Sequence, residues 1–240
     1  QQGSHPEGTE VSALEHILGE DRTMPDDCGI FLSETWRMHP GICAFCSDVF
    51  YDGRLRSRAG LETQALAGVA RFEGAGLWIV TVDHDGNQSD SPEEAEAVES
   101  VVEALLGKGS RWVDADGQEH PLEPKDILVV APYNRQVTRL YEHLSPRGVK
   151  VGTVDKFQGR EAPVVIYSMA SSSPSDAPRG MEFLYDLNRL NVATSRAKCA
   201  TILVASPKLF EPECKSPRQM KLANALCRYV EMARVVESRL

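Results

Sequence analysis

The chain has 240 residues, enough for one large domain with a substantial core, and its 42% hydrophobic and 25% charged residues are ordinary for a globular protein. A formal net charge of −9 and a pI near 5.2 weigh against a simple electrostatic nucleic-acid binder, which is normally basic, so a nucleic-acid role has to rest on motifs. No apolar run approaches the roughly 20 residues of a membrane helix. The opening Gln1-Gln2-Gly3-Ser4-His5-Pro6 lacks the apolar stretch of a secretory signal, which predicts a cytoplasmic protein with no membrane contact.

In chain order, residues 10–18 carry Val11, Leu14, Ile17 and Leu18 at helical spacing and predict a short amphipathic helix. Residues 29–33 read as a strand, and after the polar break Arg37-Met38-His39-Pro40 helical spacing returns over 42–50. Residues 77–82 form a β-rich run. Ser91-Pro92-Glu93-Glu94 is a strong helix start, with a serine cap, a proline in the first turn and a glutamate completing a capping box. That helix runs through Val98, Val101, Val102 and Leu105 to Gly107.

Residues 126–131 predict a buried strand. The helix after Pro132 turns Val137, Leu140, Tyr141 and Leu144 inward. Residues 150–154 and 164–170 are further strands, 183–197 a helix, 201–205 a strand, and Ser216-Pro217 caps a terminal helix. Residues 60–76 and 171–180 read as loops. Continuously apolar strands alternating with helices predict one α/β domain over 1–240, three-layered, with a mainly parallel sheet.

The cysteines at 28, 43, 46, 199, 214 and 227 are too scattered for a disulfide scaffold and are expected as reduced thiols. Cys43-x-x-Cys46 has no second pair to complete a zinc site, so it reads as a helical i, i+3 pair packed in the core, and no metal site is expected.

Three segments carry polar residues at the ends of predicted strands, where open α/β sheets bind ligands. In the first, L-S-E-T-W-R-M-H-P from Leu32, Arg37 follows a strand and precedes a helix; its fork suits a phosphate, although on this segment alone a structural arginine is the favoured reading. In the second, V-G-T-V-D-K-F-Q-G-R-E from Val151, Gly159 would let the backbone approach a phosphate and Glu161 could accept from a ribose hydroxyl. A tight turn with exposed charges explains that segment about as well. In the third, N-R-L-N-V-A-T-S-R-A-K from Asn188, Asn191 and Ser195 share a helix face and Arg196 projects from the helix end, where a lone arginine is usually structural.

In this order and spacing the three segments closely resemble motifs IV, V and VI of superfamily 1B helicases, with family patterns near Y-R-M-H-P, V-D-x-F-Q-G-x-E and R-R-L-N-V-A-x-[ST]-R-A-[KR]. Ala131-Pro132-Tyr133-Asn134-Arg135-Gln136 is similar to the family's motif IVa. The resemblance implies the second RecA-like domain of an ATP-dependent helicase. Carried over by position, Arg37 and Arg196 are the implied arginine fingers toward the ATP γ-phosphate. Gln158, Gly159, Arg160 and Glu161 lie along the nucleotide. Pro132, Tyr133, Gln136, Thr153, Asp155, Asn191 and Ser195 lie near a single strand of DNA or RNA.

Two positions depart from the pattern. Trp36 replaces a tyrosine, a swap expected to preserve packing, and Asn188 replaces the first of two arginines. Gly107-Lys108-Gly109-Ser110 is not a Walker A loop, and no strand ends in the D-E of a Walker B. In the resembling family both belong to a first RecA-like domain, which would hold ATP and Mg²⁺ as a partner to this one. The chain is therefore expected to begin at a domain junction and to be inactive alone. The rivals are a RecA-like scaffold that binds without catalysis, against which both candidate fingers weigh, and a self-sufficient hydrolase, for which convergent carboxylates are lacking.

Overall fold

Four apolar runs form the middle of the sheet. β4 (Gly76–Thr81), β7 (Ile127–Ala131), β9 (Ala162–Ser168) and β10 (Ala197–Ala205) are buried along nearly their whole length, as strands covered on both faces must be. The computed structural model describes residues 18–19, 23–25, 27–69, 71–157 and 159–237. With β8 (Lys150–Thr153) and β11 (Arg234–Glu237) these strands make a six-stranded sheet in the order β11-β4-β10-β9-β7-β8. Every pairing in it is parallel.

Alternate residues serve opposite faces. Leu77, Ile79, Leu128, Val130, Val165, Tyr167 and Leu203 join one core, while Trp78, Val80, Ile127, Val129, Val164, Ile166 and Ile202 join the other. The first core is covered by α1 (Pro40–Phe50), α4 (Met181–Leu184), α5 (Leu187–Thr194) and α6 (Pro217–Met232). The second is covered by α2 (Pro92–Leu105) and α3 (Asn134–Leu144). This is a three-layer α/β/α, RecA-like fold.

Several expectations need correction. Residues 29–33 are not a strand. Only Glu34–Thr35 (β1) find a partner, Arg56–Ser57 (β2), and without a strand alongside Ile30 and Leu32 stay 89% and 79% exposed. Tyr141 faces outward, and Gln136 takes an inward position instead. The helix expected over 183–197 is broken. Asp186 accepts from the Arg189 amide (2.8 Å) and starts α5 anew, and Ala197 already belongs to β10. The loop 60–76 and the stretch after Gly107 hold an antiparallel sheet of β3 (Ala65–Ala67), β5 (Arg111–Val113) and β6 (Glu119–Pro121). The helix expected over 10–18 falls almost wholly outside the described residues.

The capping box at Ser91 is only half made. Ser91 Oγ accepts from the Glu94 amide at 3.0 Å, but the Ser91 amide donates to Gln136 Oε1 (2.8 Å) rather than to Glu94. Glu94 turns inward instead. Its Oε2 accepts from Ser168 Oγ (2.6 Å) and from the Ala170 amide (2.9 Å), and its Oε1 faces His84 Nε2 at 3.2 Å.

Gly68 holds the antiparallel sheet against the end of α2. Its φ is +73°, and a Cβ there would sit 2.6 Å from the Gly109 carbonyl oxygen, which is backbone and cannot swing aside. Gly68→Ala is expected to cost at least about 2 kcal/mol. The check is a lowered urea midpoint at unchanged m; an unmoved midpoint would show that the turn yields.

Candidate functional site

The R-M-H-P segment forms a helix start that explains its last two residues. His39 caps α1 by accepting from the Gly41 amide at Nδ1 (3.0 Å), and Pro40 occupies the first turn. Burial lowers the His39 pKa, consistent with a neutral ring whose Nδ1 accepts. The His39 amide donates to the Lys198 carbonyl (2.9 Å), which ties this segment to the start of β10.

Arg37 is thereby delivered to the F-Q-G-R-E turn. Its Nε donates to Glu161 Oε2 at 2.7 Å and its Nη1 to the Ser195 carbonyl at 3.0 Å. Lys198 Nζ takes the other oxygen of Glu161, at 2.9 Å. Burial alone would raise the Glu161 pKa, but hydrogen bonds from Arg37 and Lys198, with their charges, hold it below the ordinary range. Both oxygens of Glu161 are therefore engaged by protein cations.

Arg196 is buried beside this pair. Its Nη1 donates to the Arg160 carbonyl (3.3 Å), and its Nε is buried without a partner. Burial first, and then the neighbouring Arg37 charge, depress its pKa. Among the described residues Arg37 and Lys198 share one carboxylate and Arg196 has none. Gly159, at φ +80°, leaves open space where a side chain would be. Gln158 lies outside the described residues.

Trp36, expected to keep the packing of an aromatic at this position, sits at the surface. It is 70% exposed, stacked under the Arg58 guanidinium (3.5 Å), and lines a cavity of about 400 Å³ with Arg37, Glu161 and Ser195. Trp36, next to Arg37 in sequence, and Lys198, two residues after Arg196, thus join this cluster without having been singled out as candidates.

The other candidates separate. Pro132 and Tyr133 follow β7, while Thr153 ends β8 and Asp155 follows it; all four line a cavity of about 410 Å³ with Arg179, Phe183 and Arg189. That cavity is at the carboxyl edge of the sheet. Glu161 and Arg196, by contrast, precede β9 and β10 at the amino edge, so the polar strand ends that the sequence marked divide between the two edges of the sheet. The reason is that the second segment leaves the end of β8 and crosses β7 to the start of β9, so one motif reaches both edges.

Gln136 is fully buried, with its amide bonded to Ser91 and Ser168 (Nε2 to Ser168 Oγ 2.8 Å), and a strand on the surface cannot reach it. Asn191 donates to the Tyr51 hydroxyl (2.9 Å) and does not join the 410 Å³ cavity. Ser195 belongs to the arginine cluster. A larger groove of about 580 Å³, lined by Asp48, Lys221 and Arg228 among others, contains none of the candidate residues.

The Cys43–Cys46 pair packs in the core, as expected. Cys46 Sγ lies 3.4 Å from Thr194 Oγ1, and burial pushes its pKa to about 12, so it stays a thiol. Among the described residues no helix is long and apolar enough to cross a membrane.

A family described as an AAA domain matches residues 9–208. The chain is 33% identical over 200 residues to the DNA polymerase alpha-associated DNA helicase A of Schizosaccharomyces pombe, covering 78% of this chain and 29% of that protein. It is 29% identical over 228 residues to a putative regulator of nonsense transcripts 1 from Takifugu rubripes, covering 88% of this chain and 19% of that one. A solved C-terminal domain of a possible DNA helicase from Lactobacillus plantarun superposes with a TM-score of 0.44 at 13% identity, over 84% of this chain and 98% of that one, too distant to carry an argument. The chain spans 11% to 29% of the length of the first three curated relatives it matches. With the family match over most of the chain and the three motifs folded into a parallel α/β/α sheet, the chain belongs to the AAA-domain helicases of superfamily 1B.

Proposed function

We propose that this chain is the second RecA-like motor domain of an ATP-dependent helicase, and that Arg37 and Arg196 act on the phosphates of ATP bound by a first RecA-like domain. One observation carries the reading. Two arginines converge beside the F-Q-G-R-E turn, and the buried one has an Nε without a partner and a pKa depressed by burial and by the other. Such an arrangement is costly unless an anion completes it, because a buried unpaired donor and two like charges both oppose folding. The residues present therefore fit a phosphate.

With the phosphate come ATP and Mg²⁺, the latter held by the first domain, where the metal would neutralise charge on the phosphate oxygens. In this chain Glu161 fixes Arg37, Arg196 supplies a second charge from a dry site, and Gly159 leaves room for close approach. Arg160 closes the turn, its amide donating to the Phe157 carbonyl (3.0 Å). Pro132, Tyr133, Thr153 and Asp155 form this domain's share of a groove for single-stranded DNA or RNA. Binding of ATP favours closure of the two domains because the arginines gain their partner only in the closed state.

The test is ATP hydrolysis by the full-length protein with and without single-stranded DNA or RNA. Stimulation by a strand is expected. A full-length protein that binds strand but never hydrolyses ATP would leave a binding scaffold and overturn the motor reading.

A further inference from the structure

The cavity at the carboxyl edge has a basic wall to which the motif comparison gave no role, although Arg189 lies within the third segment. Arg179 and Arg189 sit with their guanidinium carbons 3.8 Å and 4.0 Å from the centre of one ring, Phe183. The Tyr133 ring lies 5.2 Å from the same ring at 33°. Arg189 Nη1 is further fixed by the Phe183 carbonyl (3.2 Å). Among the described residues neither arginine forms an ion pair, although this chain has 35 acidic and 26 basic residues and Arg37, Arg139, Arg147 and Arg228 are all paired. Two guanidinium groups held on one ring, neither in an ion pair among the described residues and both lining a cavity, can receive an anion.

We infer that Arg179 and Arg189, clasped on Phe183, each grip a backbone phosphate of the single strand. The inference rests on the strand-groove reading above and names the contact that gives the groove its affinity. The ligand is a phosphodiester rather than a base. Phe183 is already engaged by two cations and a tyrosine ring, so it is not a free stacking platform, whereas guanidinium forks match phosphate oxygens. Asp155, the carboxylate lining the same cavity, repels the phosphate toward the arginine side and leaves sugar or base donors as its own partners. The contact is therefore indifferent to sequence.

The experiment uses the full-length protein and a fluorescent single-stranded oligonucleotide, with affinity measured over a range of salt concentrations. Arg179→Gln and Arg189→Gln are each expected to weaken binding about 3- to 10-fold near physiological salt and to reduce the slope of log K against log salt by about 0.7, the value for one phosphate on a single strand. Arg179→Lys should restore the slope. Arg179 is exposed, so its glutamine variant folds normally, which an unchanged melting temperature checks. If the unaltered protein binds and both glutamine variants keep its slope, this inference is overturned while the motor reading stands. If the unaltered protein binds no strand, both fall together. Displacement of the oligonucleotide by inorganic phosphate at matched ionic strength would reassign the clasp to a small free anion and overturn the strand contact.

Discussion

Arg196→Ala in the full-length protein is expected to slow single-turnover ATP hydrolysis by about 10³-fold or more, with ATP affinity changed only a few-fold. A thousandfold loss corresponds to about 4 kcal/mol of transition-state stabilisation, in the range of a charge delivered from a water-poor site. The side chain is suited to that size of effect because it is buried and has no carboxylate to neutralise it among the described residues. Arg37 is more exposed and already spends its Nε on Glu161, so Arg37→Ala should cost less, and part of its cost is the release of Glu161 from one of its two cations. Arg196→Lys should not rescue, since an ammonium lacks the planar fork. Single-turnover rates within a factor of three of the unaltered protein would remove Arg196 from the chemistry.

The second large effect is on stability. Glu94→Ala removes the acceptor for Ser168 Oγ and the Ala170 amide and leaves His84 Nε2 without its carboxylate, all in a region closed to solvent. Each orphaned group costs about 1–3 kcal/mol, and with partial relaxation the sum should be roughly 3–5 kcal/mol. For a domain of this size that is a fall in melting temperature on the order of 10 °C. The site also restrains Ala170, which holds a left-handed φ of 69° two residues beyond the end of β9. Glu94→Gln keeps one acceptor and should lose about half as much. Calorimetry giving a drop below 2 °C for the alanine variant would mean that the network is not needed for folding.

How far the sequence could be read depended on which interaction decides each element. The central strands were legible because burial on both faces leaves unbroken apolar runs, and α2 because Ser91-Pro92 marks its start. The β5–β6 hairpin was not, since Arg-Trp-Val and Glu-His-Pro lack apolar alternation and owe their pairing to tertiary neighbours. Nor was β11, a short edge strand that its composition does not separate from the end of α6. Glu94 looked like a capping residue because local spacing cannot reveal Ser168 and Ala170, more than seventy positions away. In the site, the convergence of Arg37 on Glu161 was reached only through resemblance, for 124 positions separate them. The clasp on Phe183 escaped notice because the pattern at 179–189 reads as an ordinary loop and helix, and only the turn at Asp186 brings both arginines over one ring.

The two cavities lie at opposite ends of strands that all run in one direction. The arginine cluster sits where β9 and β10 begin, and the Phe183 clasp beyond where β7 and β8 finish. Tension applied between those ends therefore runs along the strand axes, while the ladder bonds joining neighbouring strands lie across it. Bonds oriented in that way are strained in shear and share the pull, instead of opening one after another as in a zipper. The interior of this sheet is thus mechanically stiff along the line between its two cavities, and the four-residue β8 and β11, at its two margins, are the strands that a sideways pull would peel away first.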